Sequence, residues 1–164
     1  MQTYIIGEIG VNHNGDLEKA KSLIYMAYNF GFDAVKFQKR NPDVCVPEAK
    51  KKELRQTPWG EMTYIDYKHR VEFGQKEYDE INQYCREKDI GWSASPWDLE
   101  SLDFLVQYDI PFIKIPSAMI TNKDLILKAK KTNKKIIIST GMSTEDEITK
   151  AVDILSDGNF AVLH

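Results

Sequence analysis

Six places in the chain put a polar side chain where a run of β-branched or aromatic residues ends. They are Glu8, Lys36 with Gln38, Ser95, Lys114 with Ser117, Ser139 with Thr140, and His164. Two ammonium groups, a carboxylate and several hydroxyls on one rim are suited to an anionic small molecule. The lysines supply charge, and hydroxyls and backbone N–H groups supply directed hydrogen bonds. Such convergence requires that the runs be parallel strands, whose carboxyl ends face a common site when strands alternate with helices.

The spacing of apolar residues predicts strands at about 4–9, 34–38, 91–95, 112–115, 136–139 and 160–163. Behind Asp16, the residues Leu17, Ala20, Leu23, Ile24, Ala27 and Tyr28 recur with the period of a helix, which Gly31 closes. Leu99, Leu102, Leu105 and Val106 repeat the pattern, and helices are also expected over 75–88, 123–132 and 144–155. Ser143-Thr144-Glu145-Asp146-Glu147 supplies capping hydroxyls and acids for the last of them. One connection breaks the rhythm. Residues 39–74, some 36 residues with three prolines, hold Trp59, Tyr64, Tyr67, His69 and Arg70, and read as an ordered, lid-like insertion rather than a disordered loop.

Six strands and five helices in this order fit either an open doubly wound sheet or part of a TIM-type (β/α)8 barrel, which spans about 250 residues when complete. An open sheet binds ligands mainly through the loops at its switch point. Here all six strand ends carry candidate groups, and no G-x-G-x-x-G turn follows the first strand. The expected fold is therefore α/β, an incomplete barrel in which the 164 residues form one domain.

Individual residues leave alternatives open. Glu8 lies in an apolar strand, where a carboxylate is costly unless paired, so it either ties down a rim lysine or contacts substrate as an acid, base or hydroxyl acceptor. Lys36 and Lys114 either share an anion, form two separate ion pairs, or provide a desolvated amine for Schiff-base chemistry. Ser139-Thr140-Gly141 also reads as an ordinary turn. His13 suits capping as well as ligation, His69 a surface position, and His164 a ligand, a proton donor or a frayed end. No two histidines have metal-ligand spacing.

A net charge of -3 argues against a general nucleic-acid binder. The Lys50–Lys52 run is offset by Glu48 and Glu53. Cys45 and Cys85 lack metal spacing and fit a reduced compartment. No apolar run reaches the roughly 18 residues of a membrane helix. Met1 to Thr3 run straight into a strand, without a signal peptide, so a cytoplasmic location is expected.

Glu8-Ile9-Gly10-Val11-Asn12-His13-Asn14-Gly15 resembles the opening of the sialic acid (N-acetylneuraminate) synthase family. So do Val35-Lys36-Phe37-Gln38, Lys114-Ile115-Pro116-Ser117, Ser139-Thr140-Gly141-Met142 and Leu163-His164, in the family's order. The resemblance covers essentially the whole chain and matches the first six strands of the family's barrel. It implies condensation of phosphoenolpyruvate with N-acetylmannosamine, its 6-phosphate or a related amino sugar, giving a nine-carbon 2-keto acid. It also implies that Lys36, Gln38, Ser95, Lys114, Ser117 and Ser139 hold phosphoenolpyruvate, and that Glu8 contacts the sugar near the aldehyde. A divalent manganese or magnesium ion would polarise that aldehyde, with ligands that follow strand six and lie outside this chain. The family forms homodimers, whose C-terminal antifreeze-like domain reaches into a partner's site.

The family often has Gly-Ser-Gly-Glu after the strand-four lysine, whereas this chain has Pro116-Ser117-Ala118-Met119. The resemblance thus implies altered sugar handling, and impaired turnover for these residues alone. Another phosphoenolpyruvate-using 3-deoxy-2-keto acid synthase would keep the same anion pocket. A non-catalytic fragment that binds an anion or a complementary chain would use the pocket or the open strand edges instead.

Overall fold

The computed structural model describes residues 3–164. The expected direct entry from Met1 into the first strand lies, for Met1 and Gln2, outside the described residues. The elements run β1 (Ile6–Gly10), α1 (Leu17–Asn29), β2 (Ala34–Lys39), α2 (Pro42–Cys45), α3 (Glu48–Lys51), β3 (Leu54–Thr57), β4 (Gly60–Thr63), α4 (Tyr64–Val71) and α5 (Gln75–Lys88). They continue with β5 (Gly91–Pro96), α6 (Leu99–Leu105), β6 (Phe112–Ile115), a 3-10 turn (Ser117–Met119), α7 (Lys123–Lys130), β7 (Lys135–Ser139), α8 (Glu145–Leu155) and β8 (Phe160–Leu163).

Strands β1, β2 and β5 pair in parallel, as do β6, β7 and β8. At the junction the Ser93 hydroxyl on β5 donates to the Phe112 carbonyl of β6 at 2.5 Å. Within each sheet the strands follow chain order, with no reversal that would make a switch point. This order is that of a barrel, here an open arc of two adjacent parallel sheets among the described residues, in which β1, β5, β6 and β8 each pair on one side only.

Alternation along the strands separates two apolar zones. Val35, Phe37, Trp92, Ala94, Ile113, Ile115, Ile136 and Ile138 face the helices and join Ile24, Ile81, Leu102, Leu125 and Leu155 in the main core. The opposite face starts with a small cluster of Ala34, Phe112 and Ile137, packed with Ile6. Helix starts follow their caps. Asp16 accepts from the Lys19 N–H at 3.1 Å, and Thr144 and Glu147 form a reciprocal capping box.

The structure departs from the periodicity in two places. The first strand begins at Ile6 rather than Tyr4, because the Ile5 N–H is taken by the Asp33 carboxylate at 2.6 Å instead of a strand partner. Three short helices and an antiparallel β3–β4 hairpin fill residues 42–71, in addition to the five expected helices. Each is too short for periodicity to reveal. Cations stack on aromatic faces there, Arg55 on Tyr64 at 4.0 Å and Arg70 on Trp59 at 4.2 Å.

The insertion returns to the barrel beside Gly15. This glycine has φ +72°, and a Cβ there would overlap the Arg70 carbonyl oxygen. Gly31 has the same φ with nothing within 4 Å. Gly31→Ala is therefore expected to cost about 1 kcal/mol, the left-handed backbone alone. Gly15→Ala adds a backbone clash, for a total of roughly 3 kcal/mol. Urea unfolding of both variants checks this, and equal losses would contradict the close approach.

Candidate functional site

The polar rim is one residue pair further along the same face that carries the inner apolar cluster. Two positions beyond Ile6, Ala34, Phe112 and Ile137 come Glu8, Lys36, Lys114 and Ser139. Register puts Glu8 opposite Lys36 and Gln38 opposite Ser95. An apolar floor thus carries a polar layer, and the strand pleat aims all its side chains to one side.

Lys36 Nζ pairs with Glu8 Oε2 at 3.0 Å and donates to Ser95 Oγ at 3.1 Å and to the Phe37 carbonyl at 3.3 Å. Lys114 Nζ donates to Ser139 Oγ at 2.7 Å and to the Ile115 carbonyl at 3.1 Å. Both lysines are buried, whereas the Glu8 side chain is 63% exposed. Glu8 therefore escapes the burial cost expected of it, because its carboxylate reaches the open side of the rim. Burial first, and repulsion from Lys36 second, pull Lys114 down to about 8, with Glu8 opposing them weakly. Among the described residues no carboxylate pairs directly with Lys114, so the layer holds more positive than negative charge.

Ser117 lies beside the Ser139-Thr140-Gly141 turn, its Oγ 3.6 Å from where a Gly141 Cβ would stand. His164 Nδ1 is 3.1 Å from Thr140 Oγ1. His13 is neither exposed nor free to ligate. It stacks on Phe73 with ring centroids 3.9 Å apart, and its Nδ1 accepts the Gly15 N–H at 3.1 Å. His69 is half-exposed, 3.2 Å from Asp43. Cys45 Sγ lies 3.1 Å from Asp98 Oδ2, and burial pushes both cysteine thiols up to about 12, which leaves them inert. Among the described residues no three His, Cys, Asp or Glu side chains gather where they could hold a metal ion.

Two charged residues beside the rim carry no mark in the sequence reading above. Arg40 and Glu72 are buried at the end of β2, and Glu72 bridges Lys39 at 3.0 Å, the Arg40 N–H at 3.0 Å and Arg40 Nε at 3.5 Å. Burial holds the Glu72 carboxyl above its usual range against these cations. Lys36, Gln38 and Arg40 are spaced by two, so extending the strand alternation past Gln38 would have found Arg40. Glu72 had no such signal, since it comes from the far end of the insertion.

Fold and site together define a barrel-type α/β protein with a cationic, hydroxyl-bearing rim at its strand ends. The chain belongs to the NeuB family, whose model matches residues 23–164. It is 38% identical to the N,N'-diacetyllegionaminic acid synthase of Campylobacter jejuni over 99% of this chain and 51% of that protein. It is 36% identical to the N-acetylneuraminate-9-phosphate synthase of Drosophila melanogaster over 98% of this chain and 44% of that one. The crystal structure of N-acetylneuraminic acid synthetase from Leptospira borgpetersenii, in complex with citrate, superposes with a TM-score of 0.88 at 30% identity. It covers 100% of this chain and 54% of the Leptospira chain. The chain thus spans about half the length of the relatives it matches.

Two outcomes follow from the charges. Removing the repelling ammonium in Lys36→Met should raise Lys114 from about 8 toward its ordinary 10.5, whereas Glu8→Gln should lower it further. Side-chain NMR titration reads both, and unchanged values would contradict a shared layer. Burial also depresses His13 from 6.5 to about 4, so between these values the unfolded chain binds more protons. Its contribution is complete above pH 6.5 and is lost as pH falls through 4, up to roughly 3 kcal/mol at about 1.4 kcal/mol per unit. Urea midpoints at pH 7 and 4.5 should diverge less in His13→Gln than in the parent, and equal slopes would count against a buried neutral ring.

Proposed function

We propose that this chain is the N-terminal part of a sialic acid synthase-type barrel and carries its phosphoenolpyruvate site. The observation behind this reading is the unequal charge of the inner layer, where Lys36 and Lys114 share only one exposed carboxylate. A phosphate or carboxylate would supply the missing negative charge and reverse the depression of Lys114. Ser95 and Ser139 accept from the two ammonium groups, which leaves each hydroxyl proton free to donate to an anion oxygen. Ser117, at the Gly141 turn, extends this set.

In the reaction, C3 of the enolpyruvate attacks the aldehyde carbon of N-acetylmannosamine or a related amino sugar. Water then adds at C2, and C–O cleavage releases inorganic phosphate to leave a nine-carbon 2-keto acid. Glu8, exposed beside Lys36, would accept hydrogen bonds from sugar hydroxyls near that aldehyde. Lys36 and Lys114 keep the phosphate neutralised as the C–O bond breaks. A divalent metal would act as a Lewis acid on the aldehyde. The described residues do not fit such an ion, since no three His, Cys, Asp or Glu side chains gather among them.

Calorimetry with phosphoenolpyruvate tests the anion site. Lys114→Ala should abolish binding, and Lys88→Ala, on the outer helix α5, should not. Equal effects of the two would sink the assignment. For turnover, phosphate release from phosphoenolpyruvate, N-acetylmannosamine and manganese is expected from a version extended past His164 and not from residues 1–164 alone. Failure of the extended version on every amino sugar tried would count against the synthase reading.

A further inference from the structure

At the end of β2 the side chain of Gln38 is held in one orientation. Arg40 Nη2 donates to Gln38 Oε1, so the amide oxygen is already committed. The opposite edge of the amide faces β1 at Gly10. A Cβ at Gly10 would stand in ordinary contact, 3.6 Å from Gln38 Nε2, so only its φ of +57° favours glycine. Rotating the amide by half a turn would set its NH2 against the guanidinium, donor against donor. The Gln38 carbonyl oxygen is tied as well, by the Tyr78 hydroxyl at 2.8 Å.

Arg40 is itself immobilised. It is 6% exposed and lies over the Trp97 ring at 4.7 Å. The Glu72 carboxylate takes its backbone N–H and stands 3.5 Å from its Nε, while also holding Lys39. Lys39 in turn donates to the Phe73 carbonyl at 3.0 Å, which fixes the end of the insertion to the same point. A buried carboxylate opposite two cations would be costly if either partner were removed.

We infer that Arg40, anchored by Glu72, is a positioning residue that presents the Gln38 side chain to the rim only as an N–H donor. The inference rests on the phosphoenolpyruvate reading, because it assigns Gln38 the task of donating to a ligand oxygen. A fixed donor favours a carboxylate or phosphate oxygen and disfavours a ligand hydroxyl proton aimed at the same place. It also explains why a buried arginine lies at the end of a strand whose inner face is already cationic.

A double-mutant cycle on the whole chain, with phosphoenolpyruvate as the probe, tests the claim. Gln38→Ala and Arg40→Met should each weaken binding about tenfold, the scale of one charge-assisted hydrogen bond. Because Arg40 acts through Gln38, Arg40→Met should cost nothing further in the Gln38→Ala background. Arg40→Lys, which keeps a donor, should recover part of the affinity. An undiminished loss from Arg40→Met in the Gln38→Ala background would overturn the inference. A second readout needs no ligand. Side-chain 15N relaxation should show a rigid Gln38 amide in the parent and a mobile one in Arg40→Met and Glu72→Gln. A mobile amide in the parent overturns the positioning claim. A rigid amide with no phosphoenolpyruvate binding by the parent instead overturns the proposed function and leaves the clamp standing.

Discussion

Two lysine ammonium groups held in one inward-facing layer set the terms for the rest of this structure. Like charges in a half-enclosed space repel, and their burial removes the water that would screen them. The protein compensates Lys36 with Glu8, Ser95 and a carbonyl, but gives Lys114 only oxygen dipoles. The consequence is a lysine whose proton is loosely held and, on the proposed reading, a pocket that gains free energy when an anion enters. Stability is given up at this point, and a complete hydrophobic face on the other side of each strand makes that affordable.

The backbone achieves this with very few decisions. Parallel pairing in chain order brings successive strand ends to one side, and the two-residue pleat then divides each strand between helices and interior. Ile6, Ala34, Phe112 and Ile137 close the interior below, so the next layer receives charge without being reached by solvent from beneath. Residues 40–74 are tied at both ends to the strand ends of β2 and β5. Asp98 takes the Asn41 N–H at 2.7 Å where the insertion leaves, and Glu72 takes Lys39 and Arg40 where it returns. The insertion is therefore anchored at its base by two carboxylates with largely buried side chains.

Much of this was legible in the sequence because it depends on short-range rules. Strand runs such as Ala34-Val35-Lys36-Phe37-Gln38 are unusual in placing a lysine among buried residues, and that oddity marks the site directly. Helix starts at Asp16 and Thr144 follow from capping chemistry. What was not legible depends on distant pairs. Nothing local to Glu72 marks it as the partner of Lys39 and Arg40, and a four-residue hairpin strand gives periodicity too little length to register. Glu8 pairs with the rim lysine Lys36, one of its two sequence readings, yet is more exposed than its strand neighbours suggest. Its strand neighbours are apolar, but its position at the open rim lets the carboxylate reach water. Where the resemblance implies an acid after Lys114 of β6, this chain has Met119, which packs partly against the main core, so this position contributes to the hydrophobic core instead of presenting a charge.

The central claim is that the charge imbalance around Lys114 exists to receive an anion. Calorimetric titration of the chain with phosphoenolpyruvate at pH 8, in buffers of different ionisation enthalpy, measures it most directly. With Lys114 near 8 before binding, an anion that restores its ordinary range should draw in roughly half a proton per ligand bound. Binding without proton uptake, or with proton release, would contradict the account.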